Sequence, residues 1–388
     1  MNKISPSFSV RRLRFVGIAT LAFAAAGLPL PTSAGYIQTN LVSDIPGLAV
    51  ITDPVLKNSW GISHSATSPF WVSDQGTNLA TLYNVTAAGF TKNPLQVTIP
   101  TTASGPQGPT GQVNNNTSSF LITTAVTTPA SFIFANLNGT ISAWNNTAGT
   151  TAQIKATTAG AGYPGRAIGN PAVPLLSAAN GAQNRIDVFD GTFANITTTV
   201  FAGKFANPTN PAAGLVPFNV QNIGGNIFVT YAPAGRPAQT AALEGNGAVA
   251  VFDTSGNLIG TGPLITGSKL ASPWGITLAP ANFGLFSGDL LIGNFSFVAS
   301  EINAFDPGTG ALLGTIPIDV GSNRTGGLWG LIVGNGGNGG LTNTVYFADG
   351  INGEADGLFG SLAFVPEPAS IALFVLGLAG LGFVRRKT

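Results

Sequence analysis

Cysteine is absent from the 388 residues, and the chain holds one methionine and one histidine. The first absence removes disulfides, thiol catalysis, Cys-ligated zinc and iron–sulfur clusters together. A single histidine, His64, excludes a multi-histidine metal site. Charge is scarce as well: Asp, Glu, Lys and Arg make up 8% of the chain, against about 25% in an ordinary soluble domain. No G-x-S-x-G nucleophile elbow occurs, and the glycine-rich stretch "GNGGNGG" (334–340) contains no Walker pattern. That stretch has the form of a flexible loop. Positive charge is thin through the middle. Lys3, Arg11, Arg12 and Arg14 precede the body and Arg385, Arg386 and Lys387 follow it, leaving nine basic against fourteen acidic residues in 36–364, about −5. Such a body offers no clustered cations for a phosphate backbone, so nucleic acid is not an expected partner.

What is present is apolar and turn-forming: 44% hydrophobic residues, 25 Phe, 52 Gly and 26 Pro. A disordered chain lacks aromatic and β-branched residues and carries high net charge. This one has the material for a packed core.

Both ends have the form of addresses. At the amino terminus, Arg11, Arg12 and Arg14 precede the apolar stretch "FVGIATLAFAAAGLPL" and the small residues Thr32-Ser33-Ala34. That order predicts a secretory signal peptide over 1–34, cut by signal peptidase after Ala34. The Arg11-Arg12 pair raises a twin-arginine reading, but its spacing to Phe15 favours general secretion. At the carboxyl terminus, Ala369 to Val384 is sixteen uncharged residues. As a helix it reaches roughly 24 Å, short of a hydrocarbon core of about 30 Å. Pro366-Glu367-Pro368 stands before it, and Arg385, Arg386 and Lys387 stand after it, where cations hold the cytoplasmic side. Tripeptide, apolar span and basic cluster in this order resemble the PEP-CTERM sorting signal of Gram-negative bacteria, here over 365–388. The resemblance implies recognition by an exosortase, transient anchoring in the inner membrane, and delivery to the cell surface or an exopolysaccharide matrix. A plain single-span tail anchor over 369–384 is the alternative, and both place the body outside the cytoplasmic membrane.

Between the ends one phrase recurs: an apolar strand, an Asx/Gly-rich turn, then an alternating strand closing on an aromatic and Asn or Asp. It occurs at 70–84, 132–145, 175–190, 227–253, 290–306 and 345–364. Within each copy apolar and polar residues alternate, as in Ile186-Asp187-Val188-Phe189, the period of two that marks a strand. Asn-Gly at 138–139, 180–181 and 352–353 supplies hairpin turns. A further short strand precedes several copies, "SWGIS" (59–63), "PWGIT" (273–277) and "LWGLIV" (328–333), and a fourth follows most, "LQVTIP" (95–100), "TTTVFAG" (197–203) and "LLGTIPI" (312–318). Four short strands per unit, repeating every 45–65 residues, predict an all-β six-bladed β-propeller over 35–364. A two-sheet sandwich explains neither six copies nor the recurring "WGI". The last copy lacks a fourth strand, and residues 35–44, left over at the other end, are expected to complete it. The phrases also resemble the NHL repeat, with its Pro-x-Gly-Ile opening and "VFD"-like close; that resemblance implies the propeller fold and no particular reaction.

Candidate chemistry sits at equivalent points of the copies. If the blades align, Asp74, Asn136, Asn180, Asn294 and Asp349 face one mouth of the central channel, with Tyr231 near the same point. Oxygen ligands of this kind suit Ca²⁺, and the set resembles those of calcium-dependent lactonase propellers; the competing reading is that each opens a turn and bonds its own backbone. Trp60, Trp274 and Trp329 share the "WG" context, either as a stacking surface for sugar rings or as packing between blades. His64 would need a partner such as Asp74 to act as a base. The expectation is therefore a surface or matrix binding module whose partner is an exopolysaccharide or surface glycan. A calcium-dependent hydrolase is the second reading, and a structural matrix protein the third.

Overall fold

The computed structural model describes residues 35–101, 108–168 and 174–366. The expected cleavage point at Ala34, and the sorting segment from Glu367 onward with Pro368, Arg385, Arg386, Lys387 and the span 369–384, lie outside the described residues. No helix among the described residues is long and apolar enough to cross a membrane.

Six sheets, antiparallel but for one short parallel edge pair in the last, follow one another along the chain, at 59–98, 109–157, 165–189, 215–266, 273–317 and 328–365. They are the blades of a six-bladed β-propeller. Residues facing outward from neighbouring sheets interlock in six separate apolar clusters, one for each seam between blades. A lone four-stranded blade would leave both faces wet; radial packing buries each against two neighbours. Trp71 shows the scale of it, lying 4.3 Å from Phe132 and 4.8 Å from Trp144 across the seam between blades 1 and 2.

The ring closes between the two ends of the described chain. Gly35–Ser43 pairs antiparallel with Leu358–Val365, from Gly35 opposite Val365 to Ser43 opposite Leu358, and Ile51–Thr52 adds a fifth strand to blade 6. Blade 3 departs from the pattern the other way. It has three strands, and residues 197–203, expected as its fourth, are turns. Left-handed Phe193 (φ 68°) and Phe205 (φ 51°) break the extended path, and Phe201 and Phe205 instead fold into the seam with blade 4. The "GNGGNGG" stretch is docked, not free: Val85 donates to Asn338 O, Gly340 donates to Val85 O, and Asn335 Nδ2 donates to Ser65 O and Ser68 O, all on blade 1.

The innermost strands explain the "WG" phrase. In blades 1, 4, 5 and 6 the ladder to the next strand slips at Trp60-Gly61, Phe218, Trp274 and Trp329-Gly330. A bulge re-aims the side chain it carries, and here it turns each aromatic toward the channel mouth. The glycine serves the opposite need. A Cβ on Gly275 would lie 2.3 Å from Trp329 O, and one on Gly61 2.5 Å from Thr110 O. Gly111, Gly165 and Gly330 hold the same place in blades 2, 3 and 6. Blade 4 has Asn219 there, whose Nδ2 donates to Trp274 O of blade 5 (2.8 Å). Six backbones thus meet almost without side chains, and the space left at the axis is about 20 Å³.

Candidate functional site

Each inner strand starts at one face of the propeller, and each second strand ends there, so the residues just before the first and just after the second converge on that mouth. The three tryptophans meet on its floor. Trp60 stacks on Trp329 with centroids 3.4 Å apart; Trp274 meets Trp329 edge-on at 5.5 Å and Trp60 at 6.4 Å. Phe218 and Phe295 complete the cluster, Phe295 stacking on Trp329 at 4.3 Å. All five rings are buried. Trp274 Nε1 donates to Pro164 O, while the Nε1 atoms of Trp60 and Trp329 have no protein partner.

Above this floor lies a cavity of about 450 Å³, lined at its base by Trp60 and Phe218 and on its sides by Asn58, Val216, Arg236 and Glu354. The longest of the six connections between second and third strands, residues 234–247 of blade 4, carries the short helix Arg236–Thr240 over the mouth. Hydrogen bonds fasten this connection to blade 5, among them Ser272 Oγ to Gln239 O (2.9 Å), Phe297 N to Thr240 O (2.9 Å) and Ser296 Oγ to Ala242 O (2.6 Å). The Arg236 guanidinium rests 4.3 Å from the centroid of Phe295 and 5.5 Å from that of Trp329, a cation over aromatic faces. Burial pulls its pKa down to about 10, so it is cationic at any physiological pH. Its partner is Glu354 of blade 6, which bonds Arg236 Nη2 through Oε2 and leaves Oε1 without a protein partner. Asn58, 5% exposed, donates its amide to Gln75 Oε1 (2.9 Å), and its own Oδ1 is likewise unpartnered.

Two of these wall residues hold backbone conformations that side chains disfavour. Asn58 has φ 47° and Glu354 φ 70°, the latter directly after Asn352 (φ 57°) and Gly353 (φ 69°). Glutamate in the left-handed region is uncommon, and such strain persists only where the surrounding structure enforces it.

The five Asp and Asn residues proposed as oxygen ligands stand elsewhere. Asp74, Asn136, Asn180, Asn294 and Asp349 end the second strands, Tyr231 lies two residues before the end of that of blade 4, and the six point into six different seams. Asn136 Nδ2 donates to Pro100 O and Thr140 Oγ1; Asn180 bonds Asp187 Oδ2 and accepts from Gln183 N; Asn294 accepts from Ala271 N and donates to Lys269 O. Each amide braces the seam it occupies. Asp74 and Asp349 have no such partners for their carboxyl oxygens. Burial holds both well above the ordinary carboxylate range, with Asp53 adding to the rise at Asp74 and Thr81 and Lys92 opposing it. Among the described residues no group of three or more His, Cys, Asp or Glu is placed to hold a metal ion. His64 lies at the opposite face, its Nε2 2.8 Å from Val333 O and its Nδ1 3.1 Å from Ser65 O, away from Asp74.

Comparison with known proteins separates the two parts of the chain. Residues 364–387 match the PEP-CTERM protein-sorting motif. That motif implies an exported bacterial protein, sorted at the membrane and processed by an exosortase. The body resembles an uncharacterized protein of Acanthamoeba polyphaga mimivirus, 28% identical over 282 residues, 69% of this chain and 66% of that protein. The chain therefore spans just under two thirds of that relative's length. A second mimivirus protein is 27% identical over 275 residues, covering 69% of this chain and 70% of its own. Among solved structures, a streptogramin B lyase superposes with a TM-score of 0.50 at 14% identity, covering 85% of this chain and 98% of its own. That likeness is one of fold alone. The protein is a six-bladed β-propeller carrying a PEP-CTERM sorting motif.

Proposed function

We propose that the propeller is a binding module, delivered by its sorting motif to the surface or exopolysaccharide matrix of a Gram-negative bacterium, and that its ligand occupies the cavity at the channel mouth. The observation that carries this reading is the cavity itself: about 450 Å³, with an aromatic floor and a few convergent polar groups on its walls, the form of a small-molecule site. Trp60 contacts the ligand, and Trp274 and Trp329 hold Trp60 in place from beneath. The only two ionisable residues on the lining, Arg236 and Glu354, pair with each other. Catalysis by proton transfer needs a base free to take a proton, so the lining suits retention of a ligand better than turnover.

Ala182 is exposed and lines the cavity, which makes it the place to test the reading. Ala182→Trp fills the site without entering the core. Its expected effect is loss of retention on exopolysaccharide from the producing bacterium with an unchanged melting temperature; full retention by this variant would move the binding surface elsewhere.

A further inference from the structure

Resting on that reading of the cavity, we infer that its ligand is an uncharged polyhydroxylated ring, a neutral pyranose unit of a saccharide. Three observations converge on this class. The lining has no net charge, because its one cation and one anion are already joined. An anionic sugar would be repelled by the Glu354 carboxylate, and a cationic ligand by the Arg236 guanidinium. Next, three residues of the lining carry buried polar atoms without a protein partner, of the two kinds a hydroxyl satisfies. Asn58 Oδ1 and Glu354 Oε1 accept, and Trp60 Nε1 donates. A hydroxyl both donates and accepts, whereas an ether, a carboxylate or a hydrocarbon would leave one kind unpaired. Buried polar atoms without partners cost free energy that hydrogen bonding to an entering group recovers. Last, the remaining surface is apolar, with Leu137, Pro164, Val216 and Phe218 beside Trp60. It matches the C–H face that a pyranose presents between its equatorial hydroxyls.

The roles are specific. Asn58 and Glu354 accept from ligand hydroxyls on one edge of the ring, and Trp60 Nε1 donates in the plane of its indole to a hydroxyl oxygen, while Val216 and Phe218 meet the C–H face. Arg236 holds Glu354 in place and supplies its remaining N–H groups to hydroxyl oxygens.

Both acceptors can be removed without straining the backbone, because Asn58 (φ 47°) and Glu354 (φ 70°) occupy the conformation that glycine adopts freely. The experiment titrates the purified protein by calorimetry and tryptophan fluorescence with methyl glycosides of glucose, galactose and mannose, with cellobiose, with galacturonate and with toluene. Asn58→Gly, Glu354→Gly and Ala182→Trp are titrated beside it. The expected result is binding of at least one neutral saccharide, weakened about tenfold by each glycine variant, as for loss of one charge-assisted or buried hydrogen bond, and abolished by Ala182→Trp, with the melting temperature retained in Asn58→Gly and lowered in Glu354→Gly, which leaves the Arg236 cation unpaired. Toluene binding without saccharide binding would overturn the ligand class and leave the cavity as the site. Tighter binding of galacturonate than of any neutral sugar would overturn the neutrality argument. Saccharide binding that all three variants preserve would overturn the cavity as well.

Discussion

Asp74 and Asp349 occupy the seam position that Asn136, Asn180, Tyr231 and Asn294 occupy in the other blades, and they flank blade 6 on its two sides. At Asn136 and Asn294 the amide reaches a carbonyl of the neighbouring blade; a carboxyl cannot donate unless it keeps its proton. Burial makes it do so, raising both groups above the ordinary range near pH 4. A carboxyl that binds its proton more tightly folded than unfolded stabilises below that range, and the stabilisation is lost as pH rises toward its folded value. Asp74→Asn and Asp349→Asn are therefore expected to raise stability at pH 7 by about 1–3 kcal/mol each, and to lose that advantage at about pH 3. Urea midpoints measured across the pH range check this; a fall at neutral pH in both variants would mean that the native carboxylates are charged and partnered. The three tryptophans were legible in the sequence because the "WG" phrase repeats. Arg236 and Glu354 were not, because each lies in a connection that no other blade shares. The one available signal was the long interval between "IFVTYA" and "GAVAVFD". At Glu354 the neighbouring Asn-Gly announced a turn, but not that the left-handed path continues through the glutamate.

At the scale of the element, "WG" joins two requirements in two adjacent residues: a bulge that turns an aromatic to the mouth, and a position with no Cβ so that the next blade can come close. Gly275→Ala would drive a methyl group to 2.3 Å from a backbone oxygen that has nowhere to move. The expected loss is about 3 kcal/mol or more, typical of severe overpacking. Gly224→Ala provides the contrast, since its hairpin glycine (φ 60°) has nothing within 4 Å; there the left-handed backbone alone should cost about 1 kcal/mol. Denaturant midpoints of the two variants, followed by tryptophan fluorescence, separate crowding from conformational strain. The strand pattern itself was legible wherever apolar residues alternated between turn residues. It misled at 197–203, where Thr, Val and Phe have strand composition yet the two phenylalanines find more burial by folding inward at Phe201 and Phe205 than a fourth edge strand would provide. The seam residues misled for a related reason: an Asn or Asp that ends a second strand marks a constant place in the blade, and only the packing of whole blades shows that this place faces a neighbour and not the axis.

For the molecule as a whole, the pairing of Gly35–Ser43 with Leu358–Val365 covers the edge of Leu358–Val365 and ties the two ends of the described chain into one blade. A variant lacking residues 35–43 is expected to lose its single sharp calorimetric transition and to self-associate through the exposed Leu358–Val365 edge. A monomer that melts as sharply as the intact protein would show that the ring needs no such closure. The same strand carries another consequence. It starts at the mouth face, where Leu358 pairs with Asp349, and leaves at the opposite face, where Val365 pairs with Gly35, and it runs between Thr344–Asp349 on one side and Gly35–Ser43 on the other. A force applied between the mouth and the end of this strand at Val365 would therefore act along the strand's own axis. Tension of that direction loads the hydrogen bonds of both flanking ladders at once, in shear, instead of peeling them one by one from an end. Blade 6 would thereby resist a pull between its two ends as one unit.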